Sequence, residues 1–161
     1  MPEPGKSSAA QTRAITPYIT VKRGAEAIDF YKKVLGATEV LRLTDDEGRI
    51  GHASLKIGDA ELFLSDEHPE IQVLAPDTIG GTAVALYIHV KDVDAVAKNA
   101  AAAGAKIERP PADQPHGDRM CVLFDPFGHR WMVATPKEAV SDAQMRERYE
   151  TGGYKVKTGD R

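Results

Sequence analysis

"ITPYITVKRGAEAIDFYKKVLGA", residues 15–37, combines an alternating segment with a segment of helical spacing. The first seven residues alternate between two faces, which predicts a β-strand, and Pro17 indicates that this strand begins there or lies at a sheet edge. Apolar residues then recur at helical spacing from Ala27 to Leu35, and Gly36 is typical of a helix end. The stretch therefore predicts a strand followed by a helix.

Three further strands complete a first unit. They are predicted at about 38–44, 50–57 and 60–66, with "DDEG" at the first turn and a type II′ hairpin at Gly58-Asp59.

The same order of elements then starts again. After a loop at 67–81, "TAVALYIHV" alternates like a strand, and "DVDAVAKNAAAAGA" has the pattern of a helix that ends at Gly104. Strands follow near 106–109, 119–124 and 129–135. One shift aligns Val21 with Val90 and Phe63 with Met132. The chain is therefore predicted to be an internal βαβββ repeat of the α+β class.

"FDPFGHRWMVAT", residues 124–135, contains polar residues that could form a catalytic or metal-binding loop. Asp125, Pro126 and Gly128 also occupy the preferred positions of a type I turn. The turn is the favoured interpretation, and it would join the last two strands of the second unit.

Composition excludes several classes of function. The 161 residues carry a net charge of −3, which gives no basic surface for nucleic acid. The single Cys121 excludes a disulfide scaffold and is typical of a reducing compartment, so a cytoplasmic location is expected. No apolar run is long enough for a membrane span, and the N-terminus has no signal-peptide core.

These boundaries predict one domain with two flanking segments. We expect a disordered tail at 1–13, a domain at 14–136 with modules at 14–67 and 82–136, and a C-terminal helix and tail at 137–161. Ser141 and Gln144 predict a capping box for that helix, and Gly152-Gly153 its end. Met145 and Tyr149 share one helical face, which is expected to pack on a dimer partner.

The repeat, with "AIDFYKKVLGA" after the first strand and "DPFGHRWMVA" at the end, resembles the vicinal oxygen chelate superfamily, which includes glyoxalase I, bleomycin-resistance proteins and extradiol dioxygenases. "GHASLKIGDAELFLSDE", "HGDRMCVLFDPFGHRW" and "TPKEAVSDAQMRERY" are similar to the PhnB-like branch. The resemblance implies cup-shaped mixed sheets, a small organic ligand and a homodimer.

Metal-using members of this superfamily place a His or Gln on the first strand and a Glu on the last strand of each module. The resemblance assigns those positions to Thr16, Phe63, Ala85 and Met132. Because none of these side chains is a plausible ligand for Zn²⁺, Ni²⁺ or Fe²⁺, neither a metal nor another cofactor is expected.

Strand alternation predicts which residues line the concave face and which face the helices. Leu62, Leu64, Trp131 and Val133 are expected to be core. The residues predicted to bind a ligand are Tyr18, His52, Phe63, Ser65, Tyr87, His116, Arg119 and Met132. His52 is also the one candidate for a catalytic residue.

Each candidate also has a structural interpretation. His52 could bond to Ser65 and serve only packing, and Arg119 could pair with Asp118 or Asp125. Lys56 and Glu61 would form a cross-strand ion pair or an acid–base couple. Further histidines and one arginine are expected to be surface residues: His68, His89, His129 and Arg130.

The sequence thus predicts a metal-free protein that binds a small organic ligand in its cup. The alternative is a glyoxalase-like lyase or isomerase that uses a divalent metal, through His52 and Glu61, or uses His52 as a general base. The sequence does not identify the ligand, and it leaves open whether the modules pair within or between chains.

Overall fold

A computed structural model describes residues 13–160, so nearly all of the predicted tail at 1–13 lies outside the described residues. The first module consists of β1 (Tyr18–Val21), α1 (Gly24–Leu35), β2 (Thr38–Thr44), β3 (Ile50–Ile57) and β4 (Ala60–Asp66). The linker contains a 3₁₀ turn (Pro69–Ile71) and the one-turn helix α2 (Pro76–Ile79). The second module consists of β5 (Ala85–His89), α3 (Val93–Ala102), β6 (Lys106–Asp113), β7 (Asp118–Phe124) and β8 (Arg130–Pro136), and α4 (Asp142–Glu150) follows.

Each module forms one four-stranded mixed sheet, in the orders β1-β4-β3-β2 and β5-β8-β7-β6. The first strand of each module runs parallel to the last, and the other pairs are antiparallel. Tyr18 pairs with Phe63 in the first sheet, and Tyr87 pairs with Met132 in the second. The shift found in the sequence therefore relates the two sheets residue by residue, and the predicted α+β repeat is confirmed.

Two edge strands differ in length from their predicted bounds. β1 begins at Tyr18 rather than Ile15, because Pro17 has no N–H to continue the ladder, although its carbonyl accepts a bond from the Phe63 N–H (2.9 Å). β6 extends to Asp113 through Pro110-Pro111, with two register shifts against β7. Prolines are tolerated there because one side of an edge strand needs no ladder bonds.

The last strand of each module anchors the first turn of that module's long helix. In the first module the Gly24 N–H donates to Asp66 Oδ1 (2.6 Å). In the second the Val93 N–H donates to Thr135 Oγ1 (2.9 Å). Gly24 and Val93 are equivalent under the repeat, as are Asp66 and Thr135. Each anchor satisfies an N–H that a helix start leaves without an intrahelical partner.

One core lies between the two modules. Helices α1 and α3 contact each other, and one cluster of buried side chains contains residues of both modules. The predicted helix-facing residues Leu62, Leu64, Trp131 and Val133 are all buried in it. We call the opposite face of each sheet, which is turned away from this core, its cup face.

The turn at 125–128 links the modules. The Gly128 N–H donates to the Asp125 carbonyl (3.2 Å), as the predicted turn requires. The buried Asp125 carboxylate accepts from the backbone N–H groups of Phe127 and His129. It also accepts from the Tyr31 hydroxyl (2.6 Å) and from Trp131 Nε1 (2.8 Å). The structural interpretation of this stretch is confirmed, and its carboxylate serves the core.

The predicted C-terminal helix is present as α4. Ser141 and Gln144 form the expected capping box, and the helix ends at Glu150, shortly before Gly152-Gly153. No residue of α4 is buried. Within residues 13–160, no helix is both long and apolar enough to cross a membrane.

Candidate functional site

Three side-chain rings contact one another on the cup face of the first module. They belong to Tyr18, His52 and Phe63, and we call them the first cluster. The Tyr18 hydroxyl lies 2.8 Å from His52 Nδ1. The ring centroids are 5.4 Å apart for Tyr18 and His52, 5.9 Å for Tyr18 and Phe63, and 5.0 Å for His52 and Phe63. Tyr18 is 53% exposed, so an aromatic surface with one polar pair is open to solvent.

Two expectations for this face need correction. His52 bonds to Tyr18 rather than to Ser65, which is only 4% exposed and offers little surface to a ligand. Lys56 and Glu61 are cross-strand partners as predicted, but no ion pair joins their side chains. The three rings of the first cluster are therefore the groups on this face that combine aromatic surface with a polar pair.

Five polar side chains contact one another on the cup face of the second module. We call them the second cluster, and they belong to Tyr87, His89, His116, Asp118 and Tyr149. The Tyr87 hydroxyl donates to Asp118 Oδ2 (2.7 Å) and lies 3.3 Å from His116 Nε2. His89 Nε2 and His116 Nε2 lie 3.4 and 3.5 Å from the same carboxylate oxygen. The Tyr149 hydroxyl, on α4, lies 3.3 Å from His116 Nδ1.

Ionisation in the second cluster follows from these bonds. The hydrogen bond from Tyr87, with the nearby imidazoles, holds the pKa of Asp118 below its usual range. Burial of the Tyr87 hydroxyl, together with the Asp118 charge, raises the pKa of Tyr87 to about 12. The Tyr87 ring is 45% exposed, so the desolvated part is its hydroxyl end against Asp118. At neutral pH the cluster therefore holds a carboxylate and a neutral phenol.

The two clusters are related by the repeat. Tyr18 and Tyr87 occupy equivalent positions, and the hydroxyl of each lies within hydrogen-bonding distance of a histidine ring. The partners differ, because His52 lies on β3 whereas His116 precedes β7. The duplication thus keeps a tyrosine–histidine pair on both cup faces.

Arg119 was predicted to reach a ligand over the cup, but in the structure its side chain lies on the helix side of the sheet. Along β7 its side chain has the same orientation as the core residues Cys121 and Leu123, toward the helices. It donates two hydrogen bonds to Asp94, on α3, and one to Asp113. The structural alternative for Arg119 was an ion pair with Asp118 or Asp125. An ion pair is present, but the partners are Asp94 and Asp113.

The remaining candidates have mostly structural contacts. Met132 is partly buried on the second cup face, where it packs with Met120, Val122 and Ala134. His129 Nε2 lies 2.8 Å from the Thr20 carbonyl oxygen, and Arg130 pairs with Glu108. His89 is exposed, as expected of a surface residue, and its imidazole also belongs to the second cluster.

Two open cavities follow the edges of β1 and β5. One of about 370 Å³ lies between β5 and the β3–β4 hairpin, and a second of about 390 Å³ lies along β1. Tyr87 and His89 line the first, whose walls are largely apolar and include Ile57, Leu62 and Ile88. A small molecule in this cavity would thus contact two members of the second cluster.

The cup faces do not offer the ligands that a dication needs. The β4 and β8 positions assigned to metal ligands hold Phe63 and Met132, which face Tyr18 and Tyr87 across parallel strands. In the described part of the chain, no three His, Cys, Asp or Glu side chains are placed to hold a metal ion. The residues present therefore do not fit a divalent metal.

Sequence reasoning missed Asp118 and Tyr149 as site residues. Asp118 looked like a solvated loop residue, and its partner Tyr87 lies 31 positions earlier in the chain. Tyr149 was recognised only as part of an apolar helix face, whereas its hydroxyl meets His116. The repeat could have indicated Tyr87 as the centre of a site, but no local signal placed Asp118 beside it.

Comparisons with known proteins agree with this architecture. The family model of the Glyoxalase/Bleomycin resistance protein/Dioxygenase superfamily matches residues 12–133. An uncharacterized protein of Mycobacterium tuberculosis is 35% identical over 143 residues, covering 87% of this chain and 84% of the relative.

Solved structures show the same fold. TioX from Micromonospora sp. ML1 aligns with a TM-score of 0.60 and 26% identity, covering 80% of this chain and all of TioX. The PhnB protein from Bacillus cereus aligns with a TM-score of 0.60 and 21% identity, covering 76% of this chain and 99% of its own.

Proposed function

This chain belongs to the Glyoxalase/Bleomycin resistance protein/Dioxygenase superfamily, and we propose that it is a metal-free member that holds a small organic ligand on its cup faces. The observation that carries this proposal is the first cluster. Three rings contact one another there, and a tyrosine hydroxyl meets an imidazole at 2.8 Å on a face turned away from the core. Aromatic surface with a few polar groups is typical of small-molecule sites.

The proposed binding mode combines stacking with polar anchoring. Tyr18 and Phe63 offer ring faces on one module, and Tyr87 offers a third on the other. His52 and His116 supply polar atoms beside these rings. Arg119 has no part in this mode, because two carboxylates on the helix side already hold it.

Three further expectations belong to this proposal. The motifs at 51–67, 116–131 and 135–149 support the PhnB-like branch, and the lone buried Cys121 supports a cytoplasmic location. Open cup faces with exposed Leu41, Leu43 and Tyr18 support a homodimer in which each face gains a cover.

Binding can be tested with 2-phenylethanol, a neutral aromatic probe, by protein-observed NMR. We expect shifts in the amide signals of cup-face residues such as Tyr18 and Tyr87, and none confined to α1 and α3. His52→Ala should weaken binding about fivefold, because one hydrogen bond contributes about 1 kcal/mol. The unfolding midpoint of this variant should stay close to that of the wild type.

His68→Ala is the matched control, because His68 bonds to the Ile50 carbonyl away from the cup faces. It should leave the affinity for the probe unchanged. A wild-type protein with no shifts, or with shifts only on the helix side, would contradict the proposal. Equal weakening by both histidine variants would show that His52 acts through stability alone.

A second candidate function is supported by the surroundings of Tyr18. Its hydroxyl lies 3.4 Å from the Gly51 carbonyl oxygen as well as 2.8 Å from His52 Nδ1. If the hydroxyl proton points to Gly51, the Tyr18 oxygen can accept from His52 Nδ1–H, which leaves the Nε2 lone pair as a base. That arrangement would suit proton abstraction in a glyoxalase-like lyase or isomerase.

Exchange of α-protons of hydroxyacetone in D₂O separates the two functions. An enzyme of this kind should accelerate the exchange, lose it in His52→Ala and retain it after chelator treatment. A protein that binds 2-phenylethanol but leaves the exchange rate at its buffer value is a binding protein.

A further inference from the structure

The second cluster differs from the first in carrying a charge. Asp118 is ionised at neutral pH, and its side chain is 15% exposed. Its contacts are the Tyr87 hydroxyl and the imidazoles of His89 and His116. No lysine or arginine in the described chain forms an ion pair with it. The carboxylate therefore lacks a permanent countercharge.

One oxygen of this carboxylate is also free to accept. All three contacts converge on Oδ2, and Oδ1 accepts no bond from another described side chain. Within residues 13–160 no buried side-chain oxygen lacks a hydrogen-bond partner, so Oδ1 must be open to solvent. An ionised, partly desolvated acceptor with an open oxygen favours a charged donor.

The surroundings of the carboxylate are aromatic and apolar. The rings of Tyr87 and His89 lie 5.3 Å apart, and Tyr149 approaches from α4. Both rings are partly exposed on the cup face, where Tyr87 is 45% and the His89 side chain 59% exposed. Ring faces attract cations as well as apolar groups, so these rings suit both ends of an amphipathic cation.

We infer that the second cluster is a subsite for the ammonium group of an amphipathic amine, with Asp118 Oδ1 accepting an N–H and the apolar body lying against the rings of Tyr87 and His89 on the cup face. This assignment rests on the proposed binding function and adds the chemical class of the ligand. The Tyr87 hydroxyl and the two imidazoles hold Oδ2, so the carboxylate is oriented before the amine arrives. The site favours positive charge because its carboxylate has no lysine or arginine partner among the described residues.

Three probes of one size test this selectivity at about pH 8, where the amine is protonated. They are 2-phenylethylamine, 2-phenylethanol and phenylacetate, with dissociation constants measured by NMR titration. We expect the amine to bind at least about tenfold more tightly than the alcohol, and the acid most weakly. In Asp118→Asn the advantage of the amine over the alcohol should disappear.

Asn keeps the shape of the side chain and an oxygen that can accept from Tyr87, so the variant should stay folded, which its unfolding midpoint will show. Asp46→Asn is the matched control, because it removes the same charge from an exposed turn. It should retain the preference for the amine.

The outcomes distinguish this inference from the proposal on which it rests. Binding of the alcohol and the amine with equal affinity would overturn the subsite and leave the binding function intact. An amine preference that survives in Asp118→Asn would also overturn it, since the selectivity would then come from elsewhere. Binding of none of the probes would overturn both.

Discussion

At the scale of single residues, Asp125 shows how one side chain can have a role that its motif conceals. It lies in a turn with Pro126 and Gly128, where an aspartate usually bonds to its own backbone. That bonding is present, but the other carboxylate oxygen accepts from Tyr31 and Trp131 in the core. A residue that resembled a candidate for catalysis is thus a buried acceptor of four hydrogen bonds.

Asp125→Ala should lower the free energy of unfolding by at least about 3 kcal/mol, because it strands two buried side-chain donors and two backbone N–H groups. Urea unfolding followed by tryptophan fluorescence measures this change, since Trp131 is the only tryptophan. Asp46→Ala, in an exposed turn, should change the same quantity by less than about 0.5 kcal/mol. Similar losses in both variants would show that the Asp125 network contributes little.

Residue-level prediction succeeded where alternation decides and failed where distant segments meet. Leu62 and Trp131 were assigned correctly to the core from period-two spacing alone. The same rule could have placed Arg119 on the helix side, because it shares its face of β7 with Cys121. The position of Asp118 beside Tyr87 depends on a loop conformation that no periodicity describes.

At the scale of elements, strand and helix bounds followed closely from turn residues and glycines. Gly36 ends α1 in the left-handed conformation that the pattern indicated. Gly58 has a positive φ and Asp59 does not, as a type II′ hairpin requires. The prolines of β6 could not be assigned in advance, because an edge strand with register shifts tolerates them and a central strand does not.

Helix α4 is held mainly by polar contacts to its own chain. Arg148 bonds to Glu138 and to the Pro115 carbonyl, and Tyr149 meets His116. The prediction that its Met145/Tyr149 face covers a dimer partner is untested, but Tyr149 already has a partner within the chain. Because no residue of α4 is buried, the stability of this helix depends on these contacts and on its capping box.

Ser141→Ala should destabilise α4 alone, by about 1 kcal/mol, because it removes the acceptor for the Gln144 N–H. Amide hydrogen exchange should speed up about fivefold within Asp142–Glu150, while exchange in α1 stays unchanged. Ser141→Asn retains a capping side chain and should exchange like the wild type. Faster exchange throughout the chain would mean that α4 supports the whole domain.

At the scale of the whole molecule, two sheets share a core between their helices and leave both cup faces outward. Leu41 and Leu43 pair with Ser54 and His52, so they lie on the first cup face, where they are 46% and 54% exposed. They extend the first cluster, with its exposed Tyr18, into a larger apolar patch. Such patches commonly mark contact surfaces.

We expect sedimentation velocity to show a dimer, and Leu43→Glu to weaken it at least about tenfold by placing a charge in an apolar contact. Ile71→Glu is a matched control, since Ile71 is 68% exposed in the linker and should leave association unchanged. A wild-type protein that sediments as a monomer at micromolar concentration would contradict the homodimer.

The bond from Tyr31 to Asp125 joins the helix of the first module to the last hairpin of the second, across 94 positions. The first half expressed by itself would keep the Tyr31 phenol without its acceptor, and the second half would keep the Asp125 carboxylate without this donor. Each half would also expose the part of the core that the other half covers. The duplicated halves are therefore not autonomous folding units. The chain should unfold cooperatively, and a half-length fragment should regain structure only by complementation with the other half.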